Sequence, residues 1–230
     1  MNAAWWDAVT GKITAAPAGN RIPLALAPYE SRVLVFSKES VPSAPAPTSA
    51  APAPIDLSTG WSLTFPQTAP LHPEALPSWT DLEGRKFYSG QGIYQRSVTV
   101  PQAMIASGHH IFLTLGEGTP STGGSRAANG MRALLDPPVR ESAVIYVNGR
   151  RAAAVWCPPY EVNLTTFLHA GENQLRIVVA NLALNEMAGT PLPDYKALNA
   201  KYGERFQPQD MAAVQPVPSG LLGPIRLIGK

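Results

Sequence analysis

Residues 143–164 read "AVIYVNGRRAAAVWCPPYEVNL", and this stretch decides the fold. Three short β-favouring runs, AVIYVN, AAAVW and YEVNL, follow one another with only turn-length spacers. Asn148-Gly149 joins the first two. That pair is a strong hairpin signal, because a tight type I′ turn needs positive φ at both central positions. Working outward, the same grammar recurs. QLRIVVAN (174–181) follows the turn HAGEN. GWSLTF (60–65) sets Trp61, Leu63 and Phe65 on one face. IYQRSVTV (93–100) does so with Tyr94, Val98 and Val100, and HIFLTL (110–115) with Ile111, Leu113 and Leu115. GPIRLIG (223–229) closes the series.

Many short strands, frequent turn signals and almost no helical periodicity imply an all-β, jelly-roll β-sandwich. One short helix is expected in PDYKALNAKYGERF. Asp194 caps it, Tyr195, Leu198 and Tyr202 share a face, and Gly203 ends it. Composition agrees. The 230 residues are 45% hydrophobic and only 15% charged, with 24 prolines and 19 glycines to make turns.

Residues 39–54 are almost entirely Ala, Pro and Ser, a composition that cannot bury a face and makes a semi-rigid linker. It divides the chain into residues 1–38, the linker, and a sandwich over 55–230. The small piece reads as two strands, RIPLAL and RVLVF, with APYE as the turn between them. Two strands alone are marginal in water, so they must complete a sheet or pair with other chain.

Strand parity locates the functional end. If successive strands alternate in direction, the irregular segments 66–92, 116–142 and 182–223, with the short CPPY turn, all fall at one end of the sandwich. The hairpin turns and the 101–109 connection fall at the other. Long loops gathered on one rim of a rigid scaffold are where binding residues are expected.

Several chemistries are absent from the sequence. A net charge of +2, with no basic cluster, gives no nucleic-acid signature. No apolar run has the length of a membrane span. The N-terminus lacks the pattern of a signal peptide, so export is not encoded in this stretch. The single cysteine, Cys157, allows no intrachain disulfide. There is no G-x-S-x-G elbow and no Walker loop; GEGTPSTGGS reads as a flexible loop. The four histidines are not spaced as metal ligands. No cofactor is required. A structural calcium is the one metal the acids could hold, at Glu117, Asp136 and Glu141 with backbone carbonyls. Ten acids lie on the loop-bearing end, and the sequence selects no catalytic pair among them.

Sugar binding is better supplied. Sugar C–H faces pack on aromatic rings, and hydroxyls suit planar polar groups. Trp79, Trp156 and Tyr160 fall near the loop rim, with Arg85, Asp136, Asn185 and Asp194 in its loops. The competing reading is that Trp79, Trp156 and Tyr160 plug the sandwich end as core aromatics.

The segments WTDLEGRKFYSGQGIYQRSVTVP, LTLGEG, AVIYVNGRRAAAVWCPPYEVNLTTFLHAGENQLRIVVANLALNEMAG and RFQPQDMAAVQPVPSGLLGPIRL together resemble a known module. It is the C-terminal galactose-binding-like domain of multidomain glycoside hydrolases, nearest to the family-106 α-L-rhamnosidases, with related modules in family-2-type enzymes. The combination of S-G-x-x-x-Y, V-N-G, W-x-x-P-Y, G-E-N and P-S-G-L-L-G-P, in that order, carries the resemblance over residues 55–230. Residues 5–36 resemble the segment that precedes this module and finishes a β-sandwich behind the catalytic barrel.

The resemblance implies that the hydrolytic carboxylates and their calcium lie in a domain upstream; no residue here matches them. The matched Asn148, Gly149, Gly171 and Asn173 are turn-formers. The implied partners are the parent's catalytic domain and a rhamnose- or galactose-containing plant or bacterial polysaccharide or oligosaccharide, with no nucleic acid or membrane. The implied parent is periplasmic or secreted. The expected function is a non-catalytic carbohydrate-binding or structural module. The alternative is a stand-alone small hydrolase, a glycosidase or esterase, using rim carboxylates.

Overall fold

The computed structural model describes residues 1–8, 11–24, 26, 31–41, 50–121, 135–204 and 214–230. Most of the Ala/Pro linker, the APYE turn, much of the 116–142 loop, and Arg126, Arg205 and Asp210 lie outside the described residues.

Three N-terminal strands, β1 (Asn2–Trp6), β2 (Ile13–Ala15) and β3 (Val33–Ser37), form a small antiparallel sheet in the order β2-β1-β3. This corrects the expected pairing of RIPLAL with RVLVF. Arg21–Leu24 form no strand, since Pro23 lacks the amide a ladder requires. The centre is instead the apolar NAAWW run. It turns back through Asp7 and Gly11, where the Gly11 amide donates to the Asp7 carbonyl at 2.8 Å.

The main body contains β4 (Ile55–Asp56), β5 (Ser62–Thr64), β6 (Gln91–Val100), β7 (Ile111–Thr114), β8 (Thr119–Pro120), β9 (Leu135–Asp136), β10 (Val139–Arg140), β11 (Ser142–Val147), β12 (Arg150–Val155), β13 (Glu161–Asn163), β14 (Gly171–Ala180), β15 (Gly220–Leu221) and β16 (Arg226–Gly229). Two antiparallel sheets carry the sandwich, ordered β12-β11-β14-β6-β5 and β13-β7-β16-β4. The chain crosses repeatedly between them, as expected of a jelly roll.

The alternation read from sequence faces inward. Trp61, Leu63, Phe65, Tyr94, Ile111, Leu113, Leu115, Ile145 and Ile177 are all at most 1% exposed, and Val98 and Val100 join them. Burying these aliphatic and aromatic faces between two sheets is the main stabilising term.

Asn148 and Gly149 both have positive φ, +51° and +79°, as the hairpin requires. Among the described residues three helices form where one was expected: α1 (Gln102–Ile105), α2 (Leu184–Gly189) and α3 (Tyr195–Tyr202). The first two are too short to carry a periodic signal. The third is the expected one: the Asp194 carboxylate accepts from the Ala197 amide at 3.0 Å, and Gly203 ends it at φ +82°. Its shared face does not become core, for Tyr202 is 48% exposed.

Parity is obeyed by the described residues. Gln91 and Ser142 both pair with Ala180, and Ala143 pairs with Val155. In the second sheet Glu161 and Arg226 both flank Thr114. Bonds from Leu115 N to the Tyr160 carbonyl, beside the β7–β13 pair, and from Leu222 N to the Pro138 carbonyl, beside the β10–β15 pair, tie loop segments together at the rim.

At the opposite end Asn173 is fully buried. Its amide donates to the His169 and Gly171 carbonyls, and its oxygen accepts from the His169 amide and the Asn148 side chain. Every bonding direction of the group is used. Asn173→Ala is expected to destabilise the domain by about 2–3 kcal/mol in a denaturant titration, because it orphans several buried partners at once. Loss below about 0.5 kcal/mol would show that these bonds are exchanged for water without penalty.

Candidate functional site

The rim at the loop-bearing end has two parts of different character. One part is a closed aromatic plug. Trp79 opens a 3₁₀ turn whose start is capped by Ser78, and it is fully buried. Its indole Nε1 donates to the Tyr94 hydroxyl at 2.6 Å, and its ring meets Phe65 edge-on at a centroid distance of 5.2 Å. Tyr88 completes the group, 5.0 Å from Phe65 and 5.8 Å from Trp79. The Arg85 guanidinium lies 4.7 Å over the Phe65 ring and 5.3 Å over Tyr88.

Around this plug, amide side chains stitch the loops together. Asn185, 1% exposed, bonds the Val217 backbone in both directions and donates to Ser219 Oγ at 2.9 Å. Asn181 donates to the Tyr88 carbonyl and to Ser219 Oγ. Trp79 and Asn185 were candidates for sugar contact. The structure buries both: the ring has no exposed face, and the amide spends both its N–H donors on Val217 and Ser219, so each closes a gap between loops. Arg85 is likewise engaged with aromatic rings, and Asp194 serves as a helix cap.

The Tyr94 hydroxyl also accepts from the Leu221 amide at 3.3 Å. Burial pushes its pKa up to about 12, from an ordinary 10, against the lowering effect of the Leu221 and Trp79 bonds. The unfolded tyrosine therefore ionises first. Stability from this group is complete below pH 10 and is lost as pH rises toward 12. Thermal midpoints are expected to fall across that window, by an amount equivalent to roughly 2–3 kcal/mol at its top. Tyr94→Phe is expected to flatten that segment of the profile; an unchanged slope would refute the assignment.

The second part of the rim is open. Trp156, in the turn between β12 and β13, is 68% exposed. Tyr160 has a buried ring, and its hydroxyl makes no hydrogen bond among the described residues. Its pKa is raised by burial first, then by Cys157 and Glu141, against Arg140. Burial also raises Glu141, again opposed by Arg140. Asp136 accepts from Arg140 Nη2 at 2.9 Å, and Arg140 Nε reaches the Pro137 carbonyl. Thus Tyr160, Cys157, Glu141 and Arg140 share one neighbourhood that sequence could not assemble. Glu117, Asp136 and Glu141 do not form a cage: among the described residues no three His, Cys, Asp or Glu side chains are grouped to hold a metal ion.

Beside this open part, a cleft of about 880 Å³ runs over the outer face of the four-stranded sheet. Tyr160 and Glu117 line its rim end, and Leu26 and Arg32 of the N-terminal segment lie across it.

No family model matches the chain. Over 144 residues it is 26% identical to a protein from Formosa agariphila that bears a β-glucuronidase name; the match covers 60% of this chain and 11% of the relative. Among solved structures, a rhamnosidase from Novosphingobium sp. PP1Y matches with a TM-score of 0.70 at 24% identity, covering 99% of this chain and 20% of that one. A β-glucuronidase from Bifidobacterium dentium matches with a TM-score of 0.50 at 19% identity, covering 80% of this chain and 31% of that one. The chain spans a small fraction of each of these proteins, and its fold is that of a β-sandwich region carried within such glycoside hydrolases.

Proposed function

We propose that this chain is a non-catalytic β-sandwich module of an α-L-rhamnosidase-like glycoside hydrolase, which braces the catalytic domain and contributes to holding a rhamnose- or galactose-containing glycan. One observation carries the reading. The structural match to the rhamnosidase runs through the N-terminal sheet as well as the sandwich, over 99% of this chain, yet takes up only a fifth of that protein. A parent of this kind acts on exported polysaccharide and is periplasmic or secreted.

The alternative of a stand-alone hydrolase has little to support it. Asp136 is tied to Arg140, and Glu161 to Lys230. Of the two carboxylates that line the cleft, Glu117 and Glu161, the second is held by Lys230, whereas glycoside cleavage needs two carboxyl groups available across the scissile bond. The chain alone is therefore expected to show no turnover of chromogenic α-L-rhamnosides, β-glucuronides or acetyl esters. Turnover abolished by Asp136→Asn would overturn the proposal. A reading frame upstream of Met1 that encodes no hydrolase domain would overturn it independently.

A further inference from the structure

The rim, where sugar contact was expected, is half filled by its own aromatic plug. The adjoining sheet face is built differently. On the outer surface of the four-stranded sheet, Glu161, Thr114, Arg226 and Asp56 stand in one cross-strand row, each opposite the next. The row alternates acid, hydroxyl, base and acid. From Glu161 to Arg226 it crosses two strand spacings, roughly 10 Å, which is the reach of a disaccharide.

Glu161 is paired with Lys230. The Thr114 hydroxyl and the Arg226 guanidinium make no hydrogen bond with any described residue, although Arg226 is near enough to help hold the Asp56 carboxyl below its usual range, behind the larger effect of the Ser58 bonds. The cleft lies over Glu161, Thr114 and Arg226 of this row. Pro158, Pro159 and Tyr160 wall one side, Gly116 to Gly118 and Pro224 close the rim end, and Ile228 adds apolar floor.

We infer that this cleft is a binding site for a neutral saccharide, distinct from the aromatic plug that fills the other part of the rim. The inference rests on the proposed association with glycans. Three cationic residues, Arg32, Arg226 and Lys230, face two anionic ones, Glu117 and Glu161, so the lining is close to charge-balanced. A hydroxyl both donates and accepts, and a row of alternating donors and acceptors satisfies that requirement better than it satisfies an anion. Proline rings and Ile228 offer apolar surface to sugar C–H faces.

The test is an amide-resonance titration of the whole chain with L-rhamnose, D-galactose and their disaccharides, with D-glucuronate as the charged comparator. Saturable shifts at Thr114, Gly116, Gly118, Glu161 and Arg226 are expected with the neutral sugars. Arg226→Gln and Thr114→Val are each expected to weaken binding by about tenfold while leaving the thermal midpoint unchanged, since Arg226 is exposed and Thr114, half-buried on the outer face, exchanges its hydroxyl for a methyl of similar size. Shifts confined to Trp156 and residues 136–141 would overturn the cleft assignment, as would no shift with any sugar. Preferential binding of D-glucuronate, lost in Arg226→Gln, would overturn the neutral class. None of these outcomes bears on turnover, which tests the module reading separately.

Discussion

Replacing Trp79 with alanine is expected to destabilise the sandwich by about 3–5 kcal/mol, the range for deleting a fully buried large aromatic. Three losses combine. The indole leaves a cavity beneath the rim, its edge contacts with Phe65 and Tyr88 vanish, and the Tyr94 hydroxyl loses its donor. The Ser219 carbonyl, which accepts from the Trp79 backbone amide at 3.0 Å, keeps its bond only if the 3₁₀ turn survives. A marginally stable domain has little reserve against such a loss, so a lowered thermal midpoint and an earlier urea transition should both appear. Trp79→Phe retains most of the volume and removes the N–H, and about 1–2 kcal/mol is expected for that step. A sugar platform would behave in the opposite way: binding would be lost and stability would hold. Unchanged stability in Trp79→Ala would therefore restore the platform reading.

The second large effect is expected at Gly220. A Cβ built there would lie 2.6 Å from Trp79 Nε1 and 2.6 Å from the Tyr94 hydroxyl, on top of the bond that joins them. The backbone also sits at φ +104°, where a side chain is strained whatever the space. Gly220→Ala is expected to cost about 3 kcal/mol, more than the 1 kcal/mol of a positive-φ alanine alone, because overpacking adds to the backbone term. Two controls divide these terms. Gly84, at φ +68° with nothing near, carries only the backbone cost, while Gly92, outside the positive-φ region, places its Cβ 2.4 Å from the Trp79 ring. If the clash with the indole is the cause, Gly92→Ala should be markedly less harmful in a Trp79→Ala background, read as a coupling energy in a double-mutant cycle. Full additivity would mean that the damage lies elsewhere.

Where sequence could be read, it was read through period and punctuation. Alternation at Trp61–Phe65, Tyr94–Val100 and Ile111–Leu115 named the inward face correctly, and Asn148-Gly149 named its hairpin. These are local facts: a strand's side chains must alternate, and a two-residue turn needs residues that tolerate positive φ. Counting strand directions was enough to gather the loops on one rim, since antiparallel neighbours leave no other arrangement. RIPLAL failed because its apolar alternation outweighed Pro23 in the reading, whereas in the sheet a missing amide decides.

The fate of each rim side chain was not legible, because exposure belongs to the assembled surface. Trp79 and Trp156 are the same residue type near the same rim. One is sealed under Gly92 and Tyr94 of β6 and under Gly220, more than a hundred residues further along the chain, and the other stands in solvent. Asn185 looked like a loop amide until Val217 and Ser219 arrived to occupy it. Nothing in the linear order placed Glu161, Thr114, Arg226 and Asp56 in one row either. That row follows from the strand order β13-β7-β16-β4, set by how two sheets bury their shared face. The sequence alone determined a sandwich with its loops at one end; which aromatics became core, and which polar groups came to face one cleft, only tertiary packing decided, because both depend on contacts between residues far apart in the chain.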